Sequence, residues 1–214
     1  MKKIFACLLI ATLSQSVWAL EAADQQRLSS IQQTWAHIQY EVAEKQRAAA
    51  FEQLSSETQA FTAQRPAVAE AWIWKGIVTS SWAGAEGGLG ALGKAKEAKA
   101  DLERSLTLDP KALQGSAYTS LAALYDRVPG WPIGFGDSDK AEQLLRQALQ
   151  LNPDGIDSLY FWGDHLYRQK HYAEAKAALQ KALQAAPRPG RETADAGRRK
   201  EIATLLVDVN KKFD

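Results

Sequence analysis

Apolar residues along this chain recur three to four positions apart, the spacing of a helix face, and nowhere alternate convincingly over a strand's length. The stripe is clearest between Ala194 and Lys212. There Ile202, Leu205, Leu206 and Val209, with Phe213 just beyond, share one side and predict an amphipathic closing helix. Pro187-Arg188-Pro189-Gly190-Arg191 is the linker before it. Residues 22–63 read as a helical pair without sharp signatures, as a terminal capping unit would. The first nineteen residues differ in kind. Lys2 and Lys3 precede an apolar run from Ile4 to Leu13, too short to cross a bilayer as a helix, and Val17-Trp18-Ala19 places small residues at the usual cleavage positions. This pattern predicts a secretory signal peptide cleaved after Ala19.

Between these ends the prolines set a rhythm. Pro66, Pro110, Pro153 and Pro187 each end a helical pattern, at intervals of 44, 43 and 34 residues. In the last interval Leu159, Trp162, Gly163 and Leu166 mark one helix, and Tyr172, Ala175, Leu179 and Ala182 mark a second. Gly163 and Ala175 are small where the two helices are expected to cross, with large neighbours interlocking around them. Trp72 and Gly76 repeat the four-residue spacing of Leu159 and Gly163. Ala98, Leu102 and Ser105 precede Pro110, and Ala141, Leu145 and Ala148 precede Pro153, as Ala175, Leu179 and Ala182 precede Pro187. The first helix of the middle interval, with Ala117, Leu121 and Leu124, fits only after a one-residue shift. Each longer interval carries about ten extra residues between its helices, around 82–90 and 128–136. Insertions in an array of this kind map to loops on one side, often the binding side.

The last interval resembles the tetratricopeptide repeat pattern W-x2-L-G-x2-Y…A-x3-F…A…P, with Leu159 replacing the tryptophan and Leu166 the tyrosine. The resemblance implies an all-α fold, an antiparallel helix-pair array wound as a right-handed α-solenoid. Residues 20–65 would form the N-terminal capping pair, 66–187 three repeat units of which two carry inserts, and 188–214 the linker and C-terminal capping helix, after a signal peptide at 1–19. It also implies a concave face lined by the first helix of each unit. Beside the packing stripe of the last unit stand Asp157, Tyr160, Asp164, Tyr167 and Arg168. Tyr118 and Tyr125 fall at the places of Tyr160 and Tyr167 one unit earlier. The four tyrosines are expected either to form a ladder along one binding groove or to complete packing between units.

Composition narrows the chemistry. The chain has 26 basic and 25 acidic residues, a net +1 that becomes −1 once Lys2 and Lys3 leave, so no imbalance points to nucleic acid or an anionic membrane. Cys7, the single cysteine, leaves with the signal, which excludes disulfides, thiolate metal sites and cysteine nucleophiles. No later apolar run is long enough to span a membrane. His165 and His171 do not share a helix face, and no carboxylate lies at metal spacing on either face, so no metal is expected. Gly88-Leu89-Gly90-Ala91-Leu92-Gly93-Lys94-Ala95 matches G-x-G-x-x-G. It lacks the strand that such phosphate loops follow, and Ala95 stands where a magnesium-binding hydroxyl is needed. The expectation there is a flexible loop opening a helix. Asp154 and Asp157 read as helix-start residues rather than an acid–base pair. No cofactor and no catalytic group are expected.

Two further clusters bear on binding. Three glycines and two prolines make 128–136 a rigid non-helical segment that carries Trp131, Ile133 and Phe135. It is expected to fold over the groove in preference to being offered to a partner, because apolar loops seldom stay in water. Arg188, Arg191, Arg198, Arg199 and Lys200 form a basic cluster that is either a solvated helix face or a dock for an acidic partner or a carboxylate.

The signal, the irregular repeats and the aromatic inserts are together similar to exported bacterial tetratricopeptide proteins. With the Val128-Pro129-Gly130 insert they also resemble the T-component of TRAP-type transporters, a periplasmic repeat protein with an apolar cleft that associates with a solute-binding subunit. The resemblance implies a periplasmic, non-enzymatic interaction module whose partner is a protein of the cell envelope, such as a solute-binding subunit. The alternative is a small-ligand carrier with an apolar pocket. The residues expected to contact partner or ligand are Tyr118, Tyr125, Trp131, Phe135, Tyr160, Asp164, Tyr167 and Arg168.

Overall fold

A computed structural model describes residues 20–213; the predicted signal peptide lies outside the described residues. Nine α-helices follow one another among them: α1 (Ala22–Tyr40), α2 (Glu44–Gln64), α3 (Ala69–Glu86), α4 (Gly88–Leu108), α5 (Ser116–Arg127), α6 (Ser138–Leu151), α7 (Ile156–Arg168), α8 (Tyr172–Leu183) and α9 (Glu192–Asn210). Among the described residues there is no β-strand, only an isolated bridge between Gly130 and Gly136. Consecutive helices pack as antiparallel pairs, and each repeat proline stands just beyond the second helix of a pair. Proline cannot continue a helix, having no N–H to donate and a ring that clashes with the preceding turn. Trp72 shows why an aromatic residue follows Pro66 at a fixed distance: its indole Nε1–H donates to the Pro66 carbonyl at 2.9 Å.

The two glycines of the repeat pattern do the same job. A β-carbon on Gly76 would stand 2.6 Å from Cγ of Leu102, and one on Gly163 would stand 2.7 Å from Cγ of Leu179. In each pair a glycine on the first helix receives a buried leucine from the second. That contact lets α3 approach α4, and α7 approach α8, closely enough to exclude water. The middle pair is built differently. A 3-10 turn over Ala112–Gly115, with Leu113 and Gln114 at φ 46° and 55°, separates Pro110 from α5. This extra turn is the origin of the one-residue shift in the sequence pattern. Gly115 follows at φ +79°, and a β-carbon on it would meet Leu151 at 2.8 Å.

The two inserts have different fates. The first is not a loop. It is absorbed into longer helices, 18 residues for α3 and 21 for α4 against 13 and 12 for α7 and α8. Gly87, at φ 65° and ψ −166°, makes the turn between them, and the glycine-rich run lies within α4. The expected flexible loop is therefore a tight helix–helix connection, preceded by a helix as the sequence implied. The second insert is a true loop between α5 and α6. Gly136 N–H donates to the Pro129 carbonyl at 2.9 Å, and Gly134 N–H to the Gly130 carbonyl at 3.1 Å. A β-carbon on Gly136 would fall 1.9 Å from the Val128 carbonyl oxygen, so only glycine fits there. Asp137 ends the loop by accepting from the Lys140 N–H at 2.9 Å, which caps α6.

The core falls into two clusters, one built mainly from α1 to α6 and joined by Ala194 of α9, the other under α7 to α9, and Trp162 packs against both. Beneath it His165, 2% exposed, stacks on the Trp162 ring and donates through Nδ1 to the carboxylate of Asp126 at 3.0 Å. That pair ties α7 to α5 by giving a buried polar ring the partner it needs. Helix α9 then crosses from α7 and α8 to α1. Ile202 and Val209 of its predicted stripe are fully buried in the second cluster, Leu205 and Leu206 are half-buried, and Phe213 beyond it is exposed. The last helix thus meets the first, and the curve of the array is closed.

Candidate functional site

Closure by α9 surrounds a cavity of about 1320 Å³. Its wall is the concave face: Trp35 of α1, Trp74 and Ile77 of α3, Leu124 of α5 and Tyr160 of α7. Phe51 of α2 and Leu92 of α4 add to the apolar side. Opposite stand Arg188 and Arg191 of the linker and Arg198 and Glu201 of α9. One side of the cavity is therefore hydrocarbon and aromatic, and the other is a charge cluster.

Asp157, in the first turn of α7, sits at the centre of that cluster. Its Oδ1 accepts from Arg198 Nε at 2.8 Å and its Oδ2 from Arg188 Nη1 at 2.7 Å. Arg188 also donates Nε and its own backbone N–H to the two oxygens of Asp195, at 2.8 and 2.9 Å. Arg198 reaches Glu201 as well, and its guanidinium lies 4.4 Å from the centre of the Tyr160 ring. Burial by itself would raise the Asp157 carboxyl, but Arg198 and Arg188 outweigh it and hold it well below the usual carboxylate range. The linker and α9 are thus fastened to α7 by charged hydrogen bonds in a sheltered place, where each bond is stronger than in open water. Arg199 adds another fastening by donating to the carbonyls of Leu183 and Ala185 at the end of α8. The basic cluster is consequently not a solvated face: Arg188, Arg198 and Arg199 hold the closing helix in place.

An aromatic group faces these arginines. Trp35 meets Tyr40 and Trp74 edge to face, with ring centres 5.9 and 5.8 Å apart, and its Nε1–H donates to Ser81 Oγ at 2.8 Å. The Tyr40 hydroxyl reaches Glu201 at 3.5 Å, and burial raises its pKa well above the ordinary value of 10.0. The Arg191 guanidinium lies 5.1 Å over the Trp74 ring.

The expected contact residues are not brought together. Tyr160 alone of the four tyrosines lines the large cavity. Tyr118 and Tyr125 lean on the first core cluster, and Tyr167 leans on the second. Positions seven apart do share a helix face, but the ends of that face meet other neighbours. Tyr125 packs edge to face on Phe135 of the insert, and Tyr167 packs on Tyr172 across the α7–α8 turn. At three of its four places the continuous ladder gives way to packing against the core, which for Tyr125 and Tyr167 includes an aromatic contact within the residue's own helix pair. Asp164 is buried, accepts from Arg127 at 2.8 Å and pairs with Arg168 at 3.2 Å; it borders a smaller cavity of about 730 Å³ together with Tyr160. Within the insert, Phe135 tucks against Tyr125 and Ile133 stands at the rim of the large cavity, but Trp131 is 90% exposed. The loop therefore lines the groove with Val128, Pro129 and Ile133 while it offers its tryptophan outward, so the two expected dispositions occur together. Trp74 and Tyr40 were not among the expected contact residues, since their closeness to Arg191 and Glu201 depends on α9 returning to α1. Among the described residues no cluster of histidines and carboxylates could hold a metal ion, and no helix is long and apolar enough to cross a membrane.

Helical pairs, glycine–leucine crossings and a capping helix define a helical-repeat scaffold. Comparison with known families identifies the repeat: the tetratricopeptide repeat matches residues 133–192 and, separately, 89–112. The chain thus carries tetratricopeptide repeats over these residues, and such repeats suggest a protein-interaction scaffold. A thermophilic tetratricopeptide protein of Thermus thermophilus shares the fold at 17% identity and a TM-score of 0.57, covering 86% of this chain and 99% of its own. A piece of MamA from Desulfovibrio magneticus aligns over 92% of this chain and 99% of its own, with 15% identity and a TM-score of 0.47. No curated protein matches the chain.

Proposed function

We propose that this protein is exported to the periplasm and works there as a non-catalytic interaction module whose protein partner grips the α5–α6 loop. The observation that carries this reading is the exposed indole of Trp131 on a loop tied by its own backbone hydrogen bonds. An exposed, pre-ordered tryptophan gives a partner large apolar contact with little ordering cost. Ile133, 68% exposed, extends the same patch. The test is cross-linked capture from a periplasmic extract with wild type and Trp131→Ala. A defined envelope partner held by the first and lost by the second is the expected outcome; equal capture by both sinks the reading. Export is tested by sequencing the N-terminus of the protein from the periplasm, expected to begin at Leu20. Full-length chain kept in the cytoplasm would end that part.

A second reading is favoured by the cavity. In this reading the protein is a small-ligand carrier, in the manner implied by the resemblance to the TRAP T-component, with a solute-binding subunit as its partner. Its support is the half-open cavity of about 1320 Å³ with one apolar and one charged side. A ligand that raises the melting temperature of the wild-type protein would bear it out. A panel of apolar and acidic solutes without effect would count against it.

A further inference from the structure

We propose that the cavity binds a small amphiphilic carboxylic acid, with its carboxylate held by the Arg191 guanidinium and the Trp74 indole N–H. This rests on the second reading above and names the ligand class it would take.

The argument starts from unused donors. Arg191 Nε and Trp74 Nε1 are both buried and have no hydrogen-bond partner. Both residues line the cavity, and the guanidinium lies 5.1 Å over the Trp74 ring. Trp74 is only 3% exposed, so its N–H has little access to bulk water. A buried donor left without an acceptor costs free energy comparable to a lost hydrogen bond. Two such donors on residues that face each other across the cavity, the guanidinium 5.1 Å from the centre of the Trp74 ring, call for an acceptor that arrives from outside.

The carboxylates nearby do not supply it. Both oxygens of Asp157 are taken by Arg188 and Arg198, and both oxygens of Asp195 by Arg188. Glu201 is engaged by Arg198 and Tyr40. Arg191 is the guanidinium of this cluster that is left over. Burial and the neighbouring Arg188 both work against its charge and lower its pKa, whereas an added anion would restore it. A carboxylate suits the place because its two oxygens match the guanidinium fork, and the indole N–H adds a further donor from the side.

The rest of the cavity defines the body of the ligand. Ile77, Leu92, Leu124 and Ile133 line it with hydrocarbon. The tail of the acid lies against the leucines and isoleucines, and its head against Arg191 and Trp74.

The experiment is calorimetric titration of the whole protein with decanoate, decan-1-ol and decyltrimethylammonium, which share a ten-carbon tail. Decanoate is expected to bind roughly tenfold or more tightly than the alcohol, and the cation more weakly than either. Arg191→Gln should reduce decanoate to the affinity of the alcohol and leave the alcohol unchanged. Arg191→Lys and Trp74→Phe keep charge and ring respectively, and each should lose part of the preference. If Arg191→Gln does not fold, these two decide: an undiminished preference in both overturns the assignment. Equal binding of acid and alcohol to wild type overturns the carboxylate site but leaves the ligand-carrier reading standing. No binding of any probe ends both.

Discussion

Gly197 of α9 stands so close to the ring of Tyr40 on α1 that a β-carbon on it would lie 2.3 Å from ring atoms Cγ and Cδ1. No other residue can occupy that place without moving the helix or the ring. Gly197→Ala is therefore expected to push α9 away from α1 at a cost of about 2 kcal/mol, the usual scale of overpacking. Chemical denaturation measures it. A variant as stable as wild type would mean that Tyr40 swings aside freely.

Asp157 gives a pH signature. Its folded pKa is lowered from the ordinary 3.8 by Arg198 and Arg188 acting against burial. A carboxyl lowered in this way stabilises the fold above its unfolded value, and the contribution is lost as pH falls through the folded value. Asp157→Asn should cost about 3 kcal/mol at neutral pH, because it leaves two arginines without their shared anion. Urea unfolding at pH 7 and pH 3 checks the sign: the gap between wild type and variant should narrow at the lower pH. An equal gap at both would show that the contribution is not ionic.

The equivalent crossings at Gly76 and Gly163 should respond alike. Either glycine changed to alanine places a methyl group against a buried leucine and is expected to cost about 1–3 kcal/mol. Leu102→Ala and Leu179→Ala remove the other half of the contact, for about 2–5 kcal/mol each. Melting temperatures of the four variants test this. A tolerant Gly163 beside an intolerant Gly76 would show that the two crossings are not alike.

The α5–α6 loop separates binding from stability. Trp131 is exposed, so Trp131→Ala should leave stability within about 0.5 kcal/mol of wild type. Phe135→Ala removes the packing on Tyr125 and should free the loop, seen as faster amide exchange at Gly134 and Gly136. Unchanged protection at those two amides would mean that the backbone bonds hold the loop alone.

Much of this fold was legible in the sequence because it rests on local rules. Prolines mark helix ends by their own chemistry, and the Gly163–Leu179 crossing lies within a single unit. The closing stripe on α9 was visible for the same reason. What sequence could not show was the destination of that helix. Tyr40 and Glu201 are 161 residues apart, and nothing periodic relates them. The tyrosine ladder failed for a related cause: helical spacing puts Tyr118 and Tyr125 on one face but does not say what lies opposite. The first insert looked like a loop because glycines normally interrupt helices. Here Gly87 turns the chain, and Gly88, Gly90 and Gly93 fall within α4. The arginines read as a surface patch because each of their acceptors, Asp157 above all, looked like an ordinary helix-start residue.

The meeting of α9 with α1 also changes how the molecule should come apart. An open repeat array touches only neighbour to neighbour, so it can fray from either end and lose a terminal unit while the rest survives. Here the two ends support each other. Removing the last helix would strip cover from the first, and loosening α1 would release α9 together with the arginines that anchor it. The chain is thus expected to unfold as one cooperative body, with no stable shortened form.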